Sequence, residues 1–126
     1  MILSLDFSSE TPIYLQIRNQ VLLAIAGGKL KPGEKLPAIR TLANEAGVNM
    51  MTVNKAYQLL KEEGIISIDR RSGAFVSLSR DSKADVLARL SKELELIVSE
   101  AKVKGISKAE MRELFNRLLE GMEEEK

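Results

Sequence analysis

The chain has 126 residues, 44% apolar and 29% charged, with a formal net charge of +1, the make-up of one folded domain or of one small domain with an appendage. It contains no cysteine and no histidine, which excludes disulfides, thiolate and imidazole metal sites, and Ser-His-Asp or Cys-His nucleophiles. A carboxylate-only magnesium site is the one metal chemistry left, and the acidic residues have no spacing that suggests it, so neither a cofactor nor catalysis is expected. No apolar run approaches the ~18 residues of a membrane span, and no basic-then-apolar leader opens the chain, so a cytoplasmic protein is expected. The small net charge hides an asymmetry: residues 1–80 carry ten Lys/Arg against seven Asp/Glu, residues 81–126 nine against eleven. A basic front and an acidic rear orient a chain toward a polyanion, though the field is mild.

Residues 1–10 read as a short leader, with Ile2, Leu3 and Leu5 tucked against the body as an extended segment. Thr11-Pro12 predicts a helix start, with Thr11 as cap and Pro12 in the first helical position. The helix extends to about Ala26, with Ile13, Ile17, Val21 and Ile25 on its buried side, Leu22 and Ala24 widening it, and Gly27-Gly28 ending it. Pro32-Gly33 is a turn pair, and Lys35-Leu36 suits one very short strand.

From Pro37 to Gly64 the pattern is that of two helices joined by a tight turn. The first runs from about Ala38 to Ala46, with Ile39, Leu42, Ala43 and Ala46 at three- and four-residue steps. Gly47 ends it and Val48 pins the corner. The second starts at Asn49, a good cap, and stops before Gly64. Val53, Ala56, Tyr57 and Leu60 form its buried stripe, while Met51, Lys55, Gln58 and Glu62 face away with Thr52 and Asn54 on the flanks. Short helix, Gly turn and longer helix are the helix-turn-helix pattern. An exposed first half carrying Asn, Thr, Asn and Lys suits base edges and phosphates in a major groove; an ordinary solvated helix face is the alternative.

After Gly64 the period changes to alternation. Ile65, Ile66 and Ile68, then Asp69-Arg70-Arg71-Ser72-Gly73, then Ala74, Phe75, Val76 and Leu78 predict a hairpin. Its tip, Arg70-Arg71-Ser72-Gly73, suits phosphates or a narrow minor groove, or is merely a solvated turn. Helix, helix, helix and basic hairpin, in that order, specify a winged helix far better than any part alone.

Two more helices follow a polar boundary at Arg80–Lys83. One spans about Lys83 to Lys104, with Val86, Leu87, Leu90, Leu94, Ile97, Val98 and Ala101 in helical register and Gly105 closing it. Ser107-x-x-Glu110 is a capping box that opens the next, which carries Met111, Leu114, Phe115, Leu118, Leu119 and Met122 on one stripe. The terminal Glu-Glu-Glu-Lys is expected to fray. Two helices cannot bury so wide an apolar face alone, so it needs a partner. A second copy is the simplest; folding back onto the first helix is the alternative. The dimerisation residues are then Leu87, Leu90, Leu94, Ile97, Val98, Met111, Leu114, Phe115, Leu118 and Leu119.

The segments PIYLQI at Pro12–Ile17, GKLKPGEKLPAIRTLA at Gly28–Ala43, VNMMTVNKAYQLLKEEGII at Val48–Ile66 and GAFV at Gly73–Val76 together resemble the winged-helix domain of GntR-type bacterial transcription regulators. The opening P-[IL]-Y and the phrase TVNKAY at Thr52–Tyr57 lean toward the short YtrA-like subgroup. The resemblance implies that Arg40, the recognition-helix residues Asn49, Met50, Thr52 and Asn54, and the tip Arg70, Arg71, Ser72 and Gly73 contact DNA. Lys35 and Lys55 join them as basic candidates, Lys55 for a phosphate. Each has a duller reading: Arg40 paired with Glu45 or Glu34, Asn49 and Thr52 as capping residues only. The family often has Arg or Pro at the place of Met50, Arg at Asn54, Gly near Arg71 and Thr at Ala74. A Met cannot grip guanine as an Arg does but packs against a thymine methyl, so the operator is not carried over.

The expected fold is mainly α with a small β-hairpin: a winged helix-turn-helix domain over 1–78, a linker over 79–82 and a helical dimerisation region over 83–126. The expected function is sequence-specific binding of a double-stranded inverted-repeat operator by a homodimer, most simply as a repressor. A winged helix used for protein docking and a non-specific architectural DNA binder are the rivals. About 45 residues of tail cannot enclose a pocket of the usual few hundred Å³ within one subunit. A small-molecule effector therefore has room only at a dimer interface or between the two regions, and the sequence marks none.

Overall fold

In a computed structural model, residues 3–78 and 81–122 are described. Ile2, the first half of the expected linker and the terminal Glu-Glu-Glu-Lys lie outside the described residues. The chain divides into two compact units, Met1–Ser79 and Arg80–Lys126.

In the first unit, α1 (Ile13–Ala26), α2 (Ile39–Ala46) and α3 (Met50–Glu62) precede strands β1 (Ile66–Asp69) and β2 (Gly73–Val76). The start of α1 departs from expectation by one residue. Pro12, in extended conformation, is the cap, and its carbonyl accepts from Leu15 and Gln16. Thr11 does not cap: its amide donates to Ser9 Oγ and its carbonyl accepts from Gln16 Nε2. These local bonds hold Thr11 in the approach to the helix. Ahead of it, Leu3 and Leu5 pack on the core, and Gln20 and Gln16 hydrogen-bond the backbone of Ser4 and Asp6.

Both α1 and α2 pack on α3, which also meets β1. Their shared core is Ile17 and Val21 of α1, Leu42 and Ala43 of α2, Val53, Ala56, Tyr57 and Leu60 of α3, closed by Ile66, Ala74 and Val76 of the hairpin. The predicted stripe of α3 is therefore the buried one. The strands are antiparallel, with Ile66 opposite Val76 and Asp69 opposite Gly73. The outer edge of β2 does not stay bare. Lys35 bridges to Phe75, and Gly33, Glu34 and Leu36 exchange backbone bonds with Val76 and Ala74, so the very short strand exists as one bridge.

In the second unit, α4 (Lys83–Val103) and α5 (Lys108–Glu120) are joined by a turn at Gly105. The predicted capping box is formed: Ser107 Oγ accepts from Glu110 N at 3.1 Å, and Glu110 Oε1 from Ser107 N at 3.0 Å. Neither helix contains a buried residue.

Candidate nucleic-acid interface

The geometry of the interface starts at the corner between α2 and α3. Gly47 ends α2 in the left-handed conformation (φ 71°), and its amide and that of Val48 both return to the Ala43 carbonyl. A left-handed residue costs little only as glycine. The chain then reverses into Asn49, whose Oδ1 accepts from the Thr52 amide at 2.8 Å and the Thr52 hydroxyl at 3.0 Å. Asn49 is thus the cap, and it keeps its amide NH₂ for a ligand. Thr52 has donated its hydroxyl proton locally and keeps acceptor capacity.

Inside, α3 is anchored by Tyr57. Its ring is 1% exposed, and its hydroxyl donates to the Pro37 carbonyl at 2.8 Å, tying α3 to the segment that leads into α2. Burial pushes this phenol well above the ordinary tyrosine range, so it is a neutral donor at any working pH. At the far end Arg18 of α1 grips Glu63 with two bonds of 2.8 Å, which fixes the C-terminus of α3 against α1.

With α3 held on both sides, the face of its first two turns opposite Val53 and Ala56 is turned outward. Asn49, Met51, Thr52, Asn54 and Lys55 line a concavity of about 490 Å³ with Tyr14 of α1. Four of the predicted residues, Asn49, Thr52, Asn54 and Lys55, are brought together there. Met50 is exposed beside them. Met51 and Tyr14 were not among the expected contacts. Met51 is 81% exposed, which is unusual for a large apolar side chain and could have been suspected from its outward register. The place of Tyr14 depends on how α1 packs on α3, and only its PIY context hinted at it.

Arg40 and Lys35 are exposed. Among the described residues the ion pairs are Arg18–Glu63 and Arg89–Glu93, so Arg40 is joined to neither Glu34 nor Glu45. Glu34 instead accepts from the Lys31 amide. At the hairpin tip Arg70, Arg71, Ser72 and Gly73 are all exposed. Asp69 shapes that tip: its carboxylate accepts from the Arg71 amide at 2.9 Å and the Ser72 hydroxyl at 3.4 Å. Gly73 opens β2 with φ 80°.

In the second unit Leu87, Leu90, Leu94, Ile97, Val98, Leu114, Leu118 and Leu119 are exposed, and Met111 and Phe115 are half-buried. Leu96 and Val103, off the predicted stripe, are more exposed still, at 74% and 83%. An open groove of about 480 Å³ runs between the end of α4 and the start of α5, with Val98, Ile106, Met111 and Phe115 as its apolar wall and Lys102, Lys108 and Arg112 around it. A volume of the ordinary ligand size thus occurs within one subunit, but as a groove rather than an enclosed pocket. Among the described residues no acidic cluster suits a metal ion, and no helix is long and apolar enough to cross a membrane.

Three helices around one core, an outward and polar start to the third, and a short basic hairpin after it define a winged helix-turn-helix DNA-binding protein. The chain belongs to the gntR family of bacterial regulatory proteins, which it matches over residues 13–76. It is similar to the transcriptional repressor YtrA of Bacillus subtilis, at 33% identity over 120 residues, 92% of this chain and 91% of that one. A solved structure described as a transcriptional antiterminator from Listeria monocytogenes EGD-e shares the fold at TM-score 0.85, with 29% identity over 94% of this chain and 90% of that one. The DNA-binding domain of AraR, solved in complex with its operator ORX1, matches 60% of this chain and 93% of that one at 30% identity and TM-score 0.53. The protein is accordingly a DNA-binding transcription regulator of the YtrA-like kind and not an enzyme.

Proposed function

We propose that the protein is a repressor that binds an inverted-repeat operator as a homodimer and acts by occluding a promoter in the cytoplasm. Residues 1–78 are the DNA-binding domain, residues 79–82 the linker and residues 83–126 the dimerisation region. The observation that carries the DNA reading is the pairing of an outward, polar start of α3 with an Arg40 that has no acidic partner among the described residues. Polar side chains at the start of a recognition helix reach deepest into the major groove, and an unneutralised guanidinium suits guanine or a phosphate. Asn49, Met50, Thr52 and Asn54 read the groove. Lys35, Lys55 and the tip residues Arg70, Arg71, Ser72 and Gly73 hold the backbone. Met51, beside Asn54 in the same concavity, adds an apolar surface that fits a thymine methyl.

The dimer reading rests on the tail. Ten expected interface residues lie on two helices in which no residue is fully buried, and two-fold pairing is the commonest way to cover such a face. A two-fold dimer requires half-sites in inverted orientation. Repression is favoured by the relation to YtrA, which bears the name of a repressor.

The test is a fluorescence-anisotropy titration with duplexes from upstream of the protein's own gene, against scrambled competitor, at two salt concentrations. Specific binding should exceed non-specific binding by about 10³ or more and weaken with salt. Arg40→Ala should lose about 1–3 kcal/mol without a change in melting temperature. Equal affinity for every duplex, also after selection from random sequences, would identify a non-specific binder; no affinity for any would leave protein docking as the use of this fold.

A further inference from the structure

Lys55 projects from the second turn of α3, and its Nζ lies 4.1 Å from the centroid of the Tyr14 ring. Tyr14 is in the first turn of α1, half-buried and packed against the core. Packing thus fixes the ring, and the exposed lysine's ammonium lies over it. No carboxylate lines the concavity that the two share with Asn49, Met51, Thr52 and Asn54. Lys55 has no ion pair among the described residues.

We infer that Tyr14 is a positioning residue for DNA, holding the Lys55 ammonium ready for a backbone phosphate. The inference rests on the DNA-binding reading above and adds a residue to it from outside the helix-turn-helix. The physical reason is the neutrality of the ring. A lysine ordered by a carboxylate is immobilised but loses its net charge, and a phosphate must then compete with the acid. An aromatic face attracts the cation through its quadrupole and leaves the charge whole. The long flexible stem is ordered before DNA arrives, so less rotamer freedom remains to be lost at binding. A phosphate contact orients without reading sequence, so the device raises affinity for every duplex alike.

Two arms test this on the full chain. In the first, without DNA, NMR should find the Lys55 side-chain methylene protons shifted upfield by the ring current. The shift should survive in Tyr14→Phe and vanish in Tyr14→Leu. In the second, Tyr14→Leu should weaken binding to operator and scrambled duplex by the same factor, about two- to fivefold, and Tyr14→Phe should restore the parent affinity. Lys55→Met should lower the slope of log affinity against log salt by about one. In that background Tyr14→Leu should have no further effect, whatever its cost to stability.

The inference is overturned if Tyr14→Leu binds as the parent does, or more tightly, which would mean that the ring holds Lys55 away from DNA. It is also overturned if the loss persists in the Lys55→Met background, which would make Tyr14 itself the contact. A parent that binds no duplex would defeat the DNA reading and this inference with it. A parent that binds while Tyr14→Leu is silent would defeat this inference alone.

Discussion

Both units of the chain carry apolar residues at helical spacing in sequence, and they end up in opposite conditions. All thirteen buried apolar residues among those described belong to the first unit, although the second supplies twelve of the seventeen large apolar side chains that stay exposed. The reason is geometric. Three helices and a hairpin enclose a volume, so the stripes of α1, α2 and α3 converge on one core that β1 and β2 close. Two helices in a hairpin have only one mutual line of contact, and a face as wide as that of α4 must spill beyond it. A periodic pattern states that a face is apolar; it does not state what covers it. In the first unit the chain itself answers; in the second it does not, and the proposed second copy is what would.

That contrast can be broken most severely from the core. Leu60 is fully buried on α3, and Leu60→Ala should cost about 2–5 kcal/mol, a large share of the stability of a small domain. Urea unfolding followed by circular dichroism should report this loss equally at every protein concentration, because the core lies within one copy. The same experiment on the tail should behave differently. Leu90→Glu with Leu94→Glu should convert a dimer to a monomer in sedimentation and leave the thermal transition of the first unit unchanged. Operator affinity should fall by about a hundredfold or more as the two half-sites cease to be bound together. A parent that sediments as a monomer, or a double variant that stays dimeric, would refute the proposed role of the tail.

Most of the glycine and capping signals were legible in the sequence. Gly47, Asn49, Gly64, Gly105 and the Ser107–Glu110 box each act within a few residues, and each does in the fold what its type suggests. The start of α1 slipped by one residue because the bonds that hold Thr11 outside the helix come from Ser9 and Gln16, which compete with capping. The recognition surface was legible in part for the same reason. The outward register of α3 follows from its own period, and so do Asn49, Thr52, Asn54 and Lys55. Tyr14 and the concavity it completes depend on the packing of α1 against α3, which no local pattern encodes. Asp69, whose carboxylate shapes the arginine-bearing tip, was hidden by its resemblance to any turn aspartate.

The mildest test compares the two units through pH. Among the described residues each has one carboxyl held below its ordinary value by hydrogen bonds it accepts: Asp6 from the Ser8 side chain in the first, Glu110 from the Ser107 backbone in the second. Both are solvent-exposed, so both effects are small. For Glu110 the folded value lies below the ordinary 4.5, so its contribution is complete above that pH and disappears as pH falls through the folded value. Acid should therefore loosen the first turn of α5, where the box is the main restraint on the helix start, while the buried core of the first unit holds. NMR amide shifts of residues 107–110, followed between about pH 5 and pH 3, should move with the Glu110 carboxyl. In Glu110→Gln that movement should disappear, since the amide oxygen still accepts from Ser107 but does not titrate. Shifts that stay flat in the parent, or that move unchanged in Glu110→Gln, would mean that the box does not control the start of α5.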